Sequence, residues 1–286
     1  MAVNRSFTNI IAPAKLNLFL HILGRRTDGY HELQTLFQLL DVGDTLDFKP
    51  NTSNAISLSG DLLNLPPEKN LVFKAAEALR VKTGVTTGVD IHIHKNLPDG
   101  GGLGGGSSDA ATTLLALNQM WELGLSLQEL ADIGVLLGAD VPVFVHGNAA
   151  IATGVGEHLE PVKLPESHYL VIHPGIHVAT AAVFQDKNLT RNSQAITLAA
   201  FLRGAKKNDC EQVVRATYNA VDKAMIWLSN YAKTHLTGTG ACVFARFANK
   251  NEAQEVLADL PNSWTGFVAT GLNQSPVHKQ LGISQA

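Results

Sequence analysis

The sequence predicts an α+β protein of two domains, with its chemistry gathered on one glycine-rich loop. Three observations carry that reading. A chain of 286 residues suits about two domains of ordinary size. Strand-like and helix-like runs both occur without the regular alternation of a doubly wound sheet. Six glycines crowd the stretch from Asp99 to Ser108, between a strand pattern and a helix pattern.

Composition narrows the function classes. Hydrophobic residues make up 45% of the chain and charged residues 16%, enough for full cores and unlike a disordered chain. The formal net charge is −3 and no run of Lys or Arg forms a basic arm. Nucleic-acid binding draws most of its affinity from neutralised phosphates, so no nucleic-acid partner is expected. The two cysteines, Cys210 and Cys242, form no CxxC pair, which argues against a zinc ribbon and for free thiols in a reducing compartment. The apolar stretch 10–23 is interrupted by Pro13, Lys15 and Asn17, and no small-residue cleavage site follows it. No stretch reaches the length of a spanning helix. A cytoplasmic protein without a membrane partner is the expectation.

Taken in order, residues 14–20 alternate as a strand, with Ala14, Leu16, Leu18 and Leu20 on a core face and Lys15, Asn17 and Phe19 on the other. The polar segment 24–29 reads as a turn before Tyr30 and His31. Residues 37–40 and 45–48 read as strands separated by a Gly43-Asp44 turn. Asn70 caps a predicted helix over 71–82, which Gly84 ends. Residues 89–94 alternate as a strand. Ser107 or Ser108 opens a helix reaching Trp121, and Ser126 with Glu129 has capping-box spacing for the next, which ends near Gly138. Residues 140–145 read as extended. Strands are predicted at 169–173, 241–247 and 266–270, and helices at 211–223 and 252–260. The Gly- and Ala-rich stretch 147–161 places the division between domains 1–156 and 157–286.

The glycine loop is the most informative segment. Glycine lets backbone approach a ligand closely, and successive N–H groups followed by a helix N-terminus suit a polyphosphate. A flexible linker would lack the strand before and the helix after. Gly100, Gly102 and Gly105 match G-x-G-x-x-G, but a second helix follows where the dinucleotide fold needs a strand ending in an acid. No Gly-Lys-Ser/Thr ends the loop, so the Walker pattern fails too.

With Pro13-Ala14-Lys15-Leu16-Asn17-Leu18 and Thr237-Gly238-Thr239-Gly240-Ala241-Cys242, this loop resembles the three motifs of the GHMP kinases. The resemblance runs in family order from about residue 11 to residue 270, and Asp99 departs from an apolar position in the pattern. Gly29-Tyr30-His31-Glu32-Leu33-Gln34-Thr35, Gly138-Ala139-Asp140-Val141-Pro142-Val143-Phe144 and the end of 173–192 resemble the branch whose acceptor is a cytidine diphosphate-linked methylerythritol, on the non-mevalonate route to isopentenyl diphosphate.

The resemblance implies a two-domain fold with its active site in the inter-domain cleft, ATP and Mg2+ as cofactors, and action as a monomer or homodimer. It implies Asp140 as proton acceptor with Lys15 as its partner. An Asp in an apolar run needs a nearby cation to stay ionised, which supports the pairing. It assigns ATP to Pro98, Asp99, Gly100, Gly101, Gly102, Leu103, Gly104, Gly105, Gly106, Ser107 and Ser108, and the substrate to Asn17, Tyr30, His31 and Thr180. A cytosine ring would stack on Tyr30 and hydrogen-bond His31 through its backbone or ring. No metal ligand is assigned. His92 and His94 share a strand face without a third ligand at suggestive spacing. The competing readings are a GHMP kinase for an amino-acid or sugar alcohol, a dinucleotide-dependent oxidoreductase, and an RNA-binding module that the charge of −3 disfavours.

Overall fold

The computed structural model describes residues 5–61, 66–204 and 207–283. Two long strands, β1 (Phe7–Arg25) and β2 (His31–Asn51), form its spine. There follow β3 (Ile56–Gly60), α1 (Leu71–Thr83), β4 (Gly88–His94), α2 (Gly105–Met120), α3 (Leu127–Val135) and α4 (Val141–His146). A hairpin of β5 (Ala150–Gly154) and β6 (His158–Pro161) leads to β7 (His168–His173). Then come α5 (Thr180–Gln185), α6 (Leu198–Leu202), α7 (Glu211–Thr217), α8 (Asn219–Ser229), β8 (Thr234–Leu236), β9 (Val243–Phe247), α9 (Lys250–Ala258), β10 (Thr265–Leu272) and α10 (Pro276–Leu281). Among the described residues no helix is long and apolar enough to cross a membrane.

β1 pairs along one edge of β2. The other edge is shared by β5 at 33–37, β10 at 39–40 and β4 at 45–51. β10 continues into β7, then β9 and β8, so one ladder joins the two halves. Leu46, Phe48, Ile91, Ala75, Leu114 and Val143 bury one core under α1 to α4. Leu170, Ile172, Val214, Val221 and Val243 bury a second under α7 to α9. Leu16, Leu36, Tyr169, Val171 and Phe244 fill the layer between them. The division placed at 156/157 falls in the turn between β5 and β6. The halves also exchange segments: Val277 and Leu281 of α10 join the first core, and Leu20 and Ile22 of β1 join the second.

Several expectations are corrected. Gly43-Asp44 makes no turn, because β2 runs through it. The β1–β2 register shifts there, and a side chain at residue 43 would strike the Ala12 carbonyl, so the glycine serves a bulge at a close backbone approach. A second shift lies between Asn17 and Leu20, where three steps on β1 oppose two on β2. It reverses the inward-outward alternation, so Phe19 joins Leu16 in the middle core while Leu20 turns to the face of Lys15 and Asn17. Residues 141–146 are helical rather than extended. Pro142 fits a first turn, and every side chain from Val141 to Val145 is buried, which overrides β propensity. The helix expected over 211–223 breaks at Tyr218 into α7 and α8, and β9 begins at Val243 because Ala241 and Cys242 bond the glycine loop instead.

Candidate active site

A cavity of about 630 Å3 opens between the halves. Its floor follows from the bulged pairing just described: Lys15, Asn17 and Leu20 of β1 and Leu33, Thr35 and Phe37 of β2 all face it. Ala139 and Asp140, Gly102 and Ser107, Thr180 and Phe184, and Gly238 and Thr239 complete the walls.

Lys15 is nearly inaccessible at 3% exposure. Its ammonium lies 3.1 Å from Asp140 Oδ2, donates to Asn17 Oδ1 at 2.6 Å and sits 5.4 Å from the centroid of the Phe37 ring. Asn17 is held in turn. Its Nδ2 donates to Thr35 Oγ1 at 2.8 Å, and its backbone N–H donates to Thr237 Oγ1 at 3.0 Å. Asp140 precedes α4 without capping it, so its carboxylate is free to reach across to Lys15. The arrangement is a half-open carboxylate whose buried partner is an ammonium, able to accept a proton from a hydroxyl placed in the cavity.

The glycine loop wraps this pair. The carbonyls of Gly100 and Gly101 accept from Ala241 and Cys242 backbone N–H groups at 3.2 and 3.0 Å, that of Gly102 from Thr237 Oγ1 at 3.3 Å, and that of Leu103 from Lys15 N–H at 2.9 Å. Four successive carbonyls are thus turned into protein, which leaves the loop amides and the first turn of α2 to form a cradle for an anion. Gly104 occupies the N-cap position of α2 at φ +73°, where a Cβ would press on the Phe144 ring at 2.9 Å and Lys15 Cε at 3.1 Å. At Gly102 a Cβ would meet the Thr237 carbonyl at 2.5 Å.

The helix therefore starts at Gly105, ahead of the serines. Ser107 lines the cavity, whereas Ser108 is fully buried and its Oγ has no partner among the described residues. Leu103 is buried in the core and Asp99 is exposed. Of the loop residues Pro98 to Ser108, only Gly102 and Ser107 line this cavity; the others form the surrounding wrap.

Charge closes the base of the loop. Lys95 pairs with Asp44 and, at 2.9 Å, with Asp109. Asp44 Oδ1 also accepts the N–H groups of Asn96 and Leu97 at 2.7 and 2.8 Å. Burial and the neighbouring Asp44 push the Asp109 carboxyl up, against the pull of Lys95, to about 7.

The far end of the cavity is aromatic. Tyr30 stands 66% exposed at the rim, and His31 stacks on Phe184 with centroids 5.1 Å apart. Burial and the charges of Arg191 and Arg25 lower the His31 pKa. Thr180 Oγ1 lies 2.9 Å from Thr239 Oγ1, tying α5 to the 237–242 loop. All the residues assigned to catalysis or substrate, Lys15, Asp140, Asn17, Tyr30, His31 and Thr180, come together on one cavity. Sequence reasoning missed Phe184, on the six-residue α5, and Arg191, in the irregular chain beyond it, because a helix that short and a loop show no periodicity to mark an inward side chain; Thr35 was visible only as the end of the 29–35 motif. His92 hydrogen-bonds Ser59 at 2.8 Å and His94 lies 3.8 Å from Asp47, both away from this cavity. No group of three potential metal-ligating side chains gathers among the described residues.

The GHMP kinases N terminal domain family matches residues 70–148, and the GHMP kinases C terminal family matches residues 181–266. A 4-diphosphocytidyl-2-C-methyl-D-erythritol kinase from Alkalilimnicola ehrlichii is 55% identical over 261 residues, covering 91% of this chain and 90% of the relative. The chain belongs to the GHMP kinase family. The same-named kinase of Shewanella denitrificans is 53% identical over 271 residues, 94% of this chain and 95% of the relative. A crystal structure of 4-(cytidine 5'-diphospho)-2C-methyl-D-erythritol kinase superposes on this kinase with a TM-score of 0.81 at 30% identity, covering 93% of this chain and 99% of that one. Homoserine kinase from Cytophaga hutchinsonii, at 18% identity and a TM-score of 0.69, shares the fold. ATP is a substrate of this kinase, with a small molecule as the acceptor.

Proposed function

We propose that this GHMP kinase transfers the γ-phosphoryl group of ATP to a hydroxyl of 4-diphosphocytidyl-2-C-methyl-D-erythritol, giving the 2-phosphate, a step toward isopentenyl diphosphate by the methylerythritol phosphate route. The observation that carries the chemistry is the Lys15–Asp140 pair on the cavity that Gly102 and Ser107 also line. Relatives above 50% identity named for this activity support the substrate.

In this reading the acceptor hydroxyl binds against Asp140, which takes its proton as the new P–O bond forms. Lys15 keeps that carboxylate ionised and offsets charge on the attacking oxygen, and Asn17 holds the ammonium in place. The backbone of residues 98–108 cradles the phosphates, with the N-terminus of α2 favouring their charge. Tyr30 stacks on the cytosine, His31 meets its edge, and Thr180 contacts the substrate from the same cavity wall as Phe184. Magnesium needs only one or two protein oxygens when phosphates supply the rest, and Ser107 on the cavity would hold it. When bound, the ion neutralises charge on the transferred group. A cytoplasmic location fits these partners, with the protein acting as a monomer or homodimer and residues 1–156 and 157–286 as its two domains.

Phosphate transfer measured against the cytidine-linked substrate, homoserine, mevalonate and simple polyols tests this. Turnover restricted to the cytidine-linked compound is expected. Equal turnover of a polyol without a base would overturn the assignment.

A further inference from the structure

Arg191 lies in the irregular chain beyond α5 and spends its guanidinium on its surroundings. NH2 donates to the Phe184 and Asp186 carbonyls, both at 2.8 Å, and NH1 to the Leu189 carbonyl at 3.1 Å. The third nitrogen, Nε, donates to His31 Nε2 at 3.2 Å. A guanidinium stays protonated and has no acceptor to offer, so the imidazole must present a lone pair at Nε2. The single ring proton of neutral histidine then sits on Nδ1. Nδ1 has no protein partner among the described residues, and the ring, flat against Phe184 at 25°, lines the cavity. Burial and the charges of Arg191 and Arg25 favour the same neutral form.

We propose that Arg191 is a positioning residue that holds His31 as its Nδ1–H tautomer, giving the cavity a fixed hydrogen-bond donor that selects cytosine over uracil. Cytosine offers acceptors at both O2 and N3, whereas uracil carries a hydrogen on N3. A donor that cannot change tautomer meets N3 of cytosine well and leaves two N–H groups facing each other with uracil. Without Arg191 the ring is free to move its proton to Nε2 and present an acceptor instead, which relaxes the choice. This inference rests on the proposed cytidine-linked substrate, and its first test does not.

That first test is a long-range 1H–15N spectrum of the unsubstituted protein labelled at histidine, with the His31 signals assigned by their loss in His31→Gln. Protonation at Nδ1 and a bare Nε2 are expected; the reverse pattern, or a doubly protonated ring at neutral pH, overturns the lock. The second test compares kcat/KM for cytidine- and uridine-diphosphate-linked methylerythritol. The unsubstituted enzyme is expected to prefer cytidine, and Arg191→Gln to lower that preference by about tenfold or more, through KM, at unchanged KM for ATP. Arg191→Lys, which restores a cation and a donor, is expected to recover part of it. Absence of discrimination in the unsubstituted enzyme, or equal loss on both substrates in Arg191→Gln with an unaltered His31 spectrum, overturns the inference and leaves the proposed function standing. Turnover of neither pyrimidine-linked compound sinks the proposed function while the spectrum still reads the tautomer.

Discussion

The ammonium of Lys15 and the carboxylate of Asp140 meet at 3.1 Å, yet the lysine side chain is 3% exposed and the aspartate 33%. The pair is asymmetric: its cation is locked in protein by Asn17 and Phe37, and its anion keeps an open side toward the cavity. A proton acceptor needs that open side, and an electrostatic partner needs rigidity more than access.

Asp140→Asn is expected to retain the fold and most ATP affinity while kcat falls roughly 10²–10⁴-fold, the usual scale of general-base catalysis. Steady-state kinetics on protein with an unchanged melting curve checks this. Turnover near that of the unsubstituted enzyme would remove Asp140 from proton transfer.

Lys15→Met keeps much of the buried volume and removes the charge. Turnover is expected to fall at least as far as in Asp140→Asn, and stability to change by only about 1–3 kcal/mol, because Asp140 regains water on its exposed side while Asn17 Oδ1 loses a partner. A large loss of stability with normal activity in the surviving folded fraction would make Lys15 structural.

Gly104→Ala places a Cβ at φ +73° against Phe144 and Lys15 Cε. The substitution is expected to weaken binding of a non-hydrolysable ATP analogue in calorimetry and to lower turnover by displacing Lys15, beyond the backbone strain of about 1–2 kcal/mol. Unchanged affinity and turnover would mean that the loop does not need this geometry.

Tyr30→Ala removes an exposed ring from the cavity rim, so little stability should be lost. KM for the cytidine-linked substrate is expected to rise by the equivalent of about 1–3 kcal/mol, the scale of base–aromatic stacking, with KM for ATP nearly constant. Equal changes for both substrates would take Tyr30 out of the base site.

Asp109 supplies a pH dependence. Its folded pKa of about 7 stands above the 3.8 of a free aspartate side chain, so between those values the native state holds a proton that the unfolded chain has lost. Stability contributed at this group therefore falls as pH rises through that window. Asp109→Asn cannot titrate. Its stability relative to the unsubstituted protein is expected to improve steadily between pH 4 and pH 7, measured by chemical denaturation at several pH values. A difference that stays flat, or runs the other way, would mean that Lys95 holds Asp109 ionised throughout.

Much of the site was legible in one dimension because its parts are local chemistry. A run of glycines between a strand and a helix states its purpose through backbone freedom alone, and helix ends at Asn70, Gly84 and Ser126 read directly from capping preferences. The motif around Lys15 and Asn17 told which strand carried polar side chains, but two-residue alternation could not see the bulge that turned Phe19 away and Leu20 toward them. The start of α2 shifted for a similar reason. Serines are favoured helix openers, whereas here Gly104 takes the cap in a left-handed conformation, leaving Ser107 on the cavity and Ser108 buried.

By itself the sequence determined which groups this kinase carries: a glycine loop suited to an anion, an aspartate and a lysine in two separate motifs, and the adjacent Tyr30 and His31, all set by side-chain chemistry and short-range backbone preference. Only the tertiary structure decided what those groups face. Arg191 reaches His31 across 160 residues of chain, and β10 joins the two halves through its pairing with β2 and β7. Such relationships depend on how the halves pack and where strands slip register, and these are set by burial summed over the whole molecule rather than by any local run of residues.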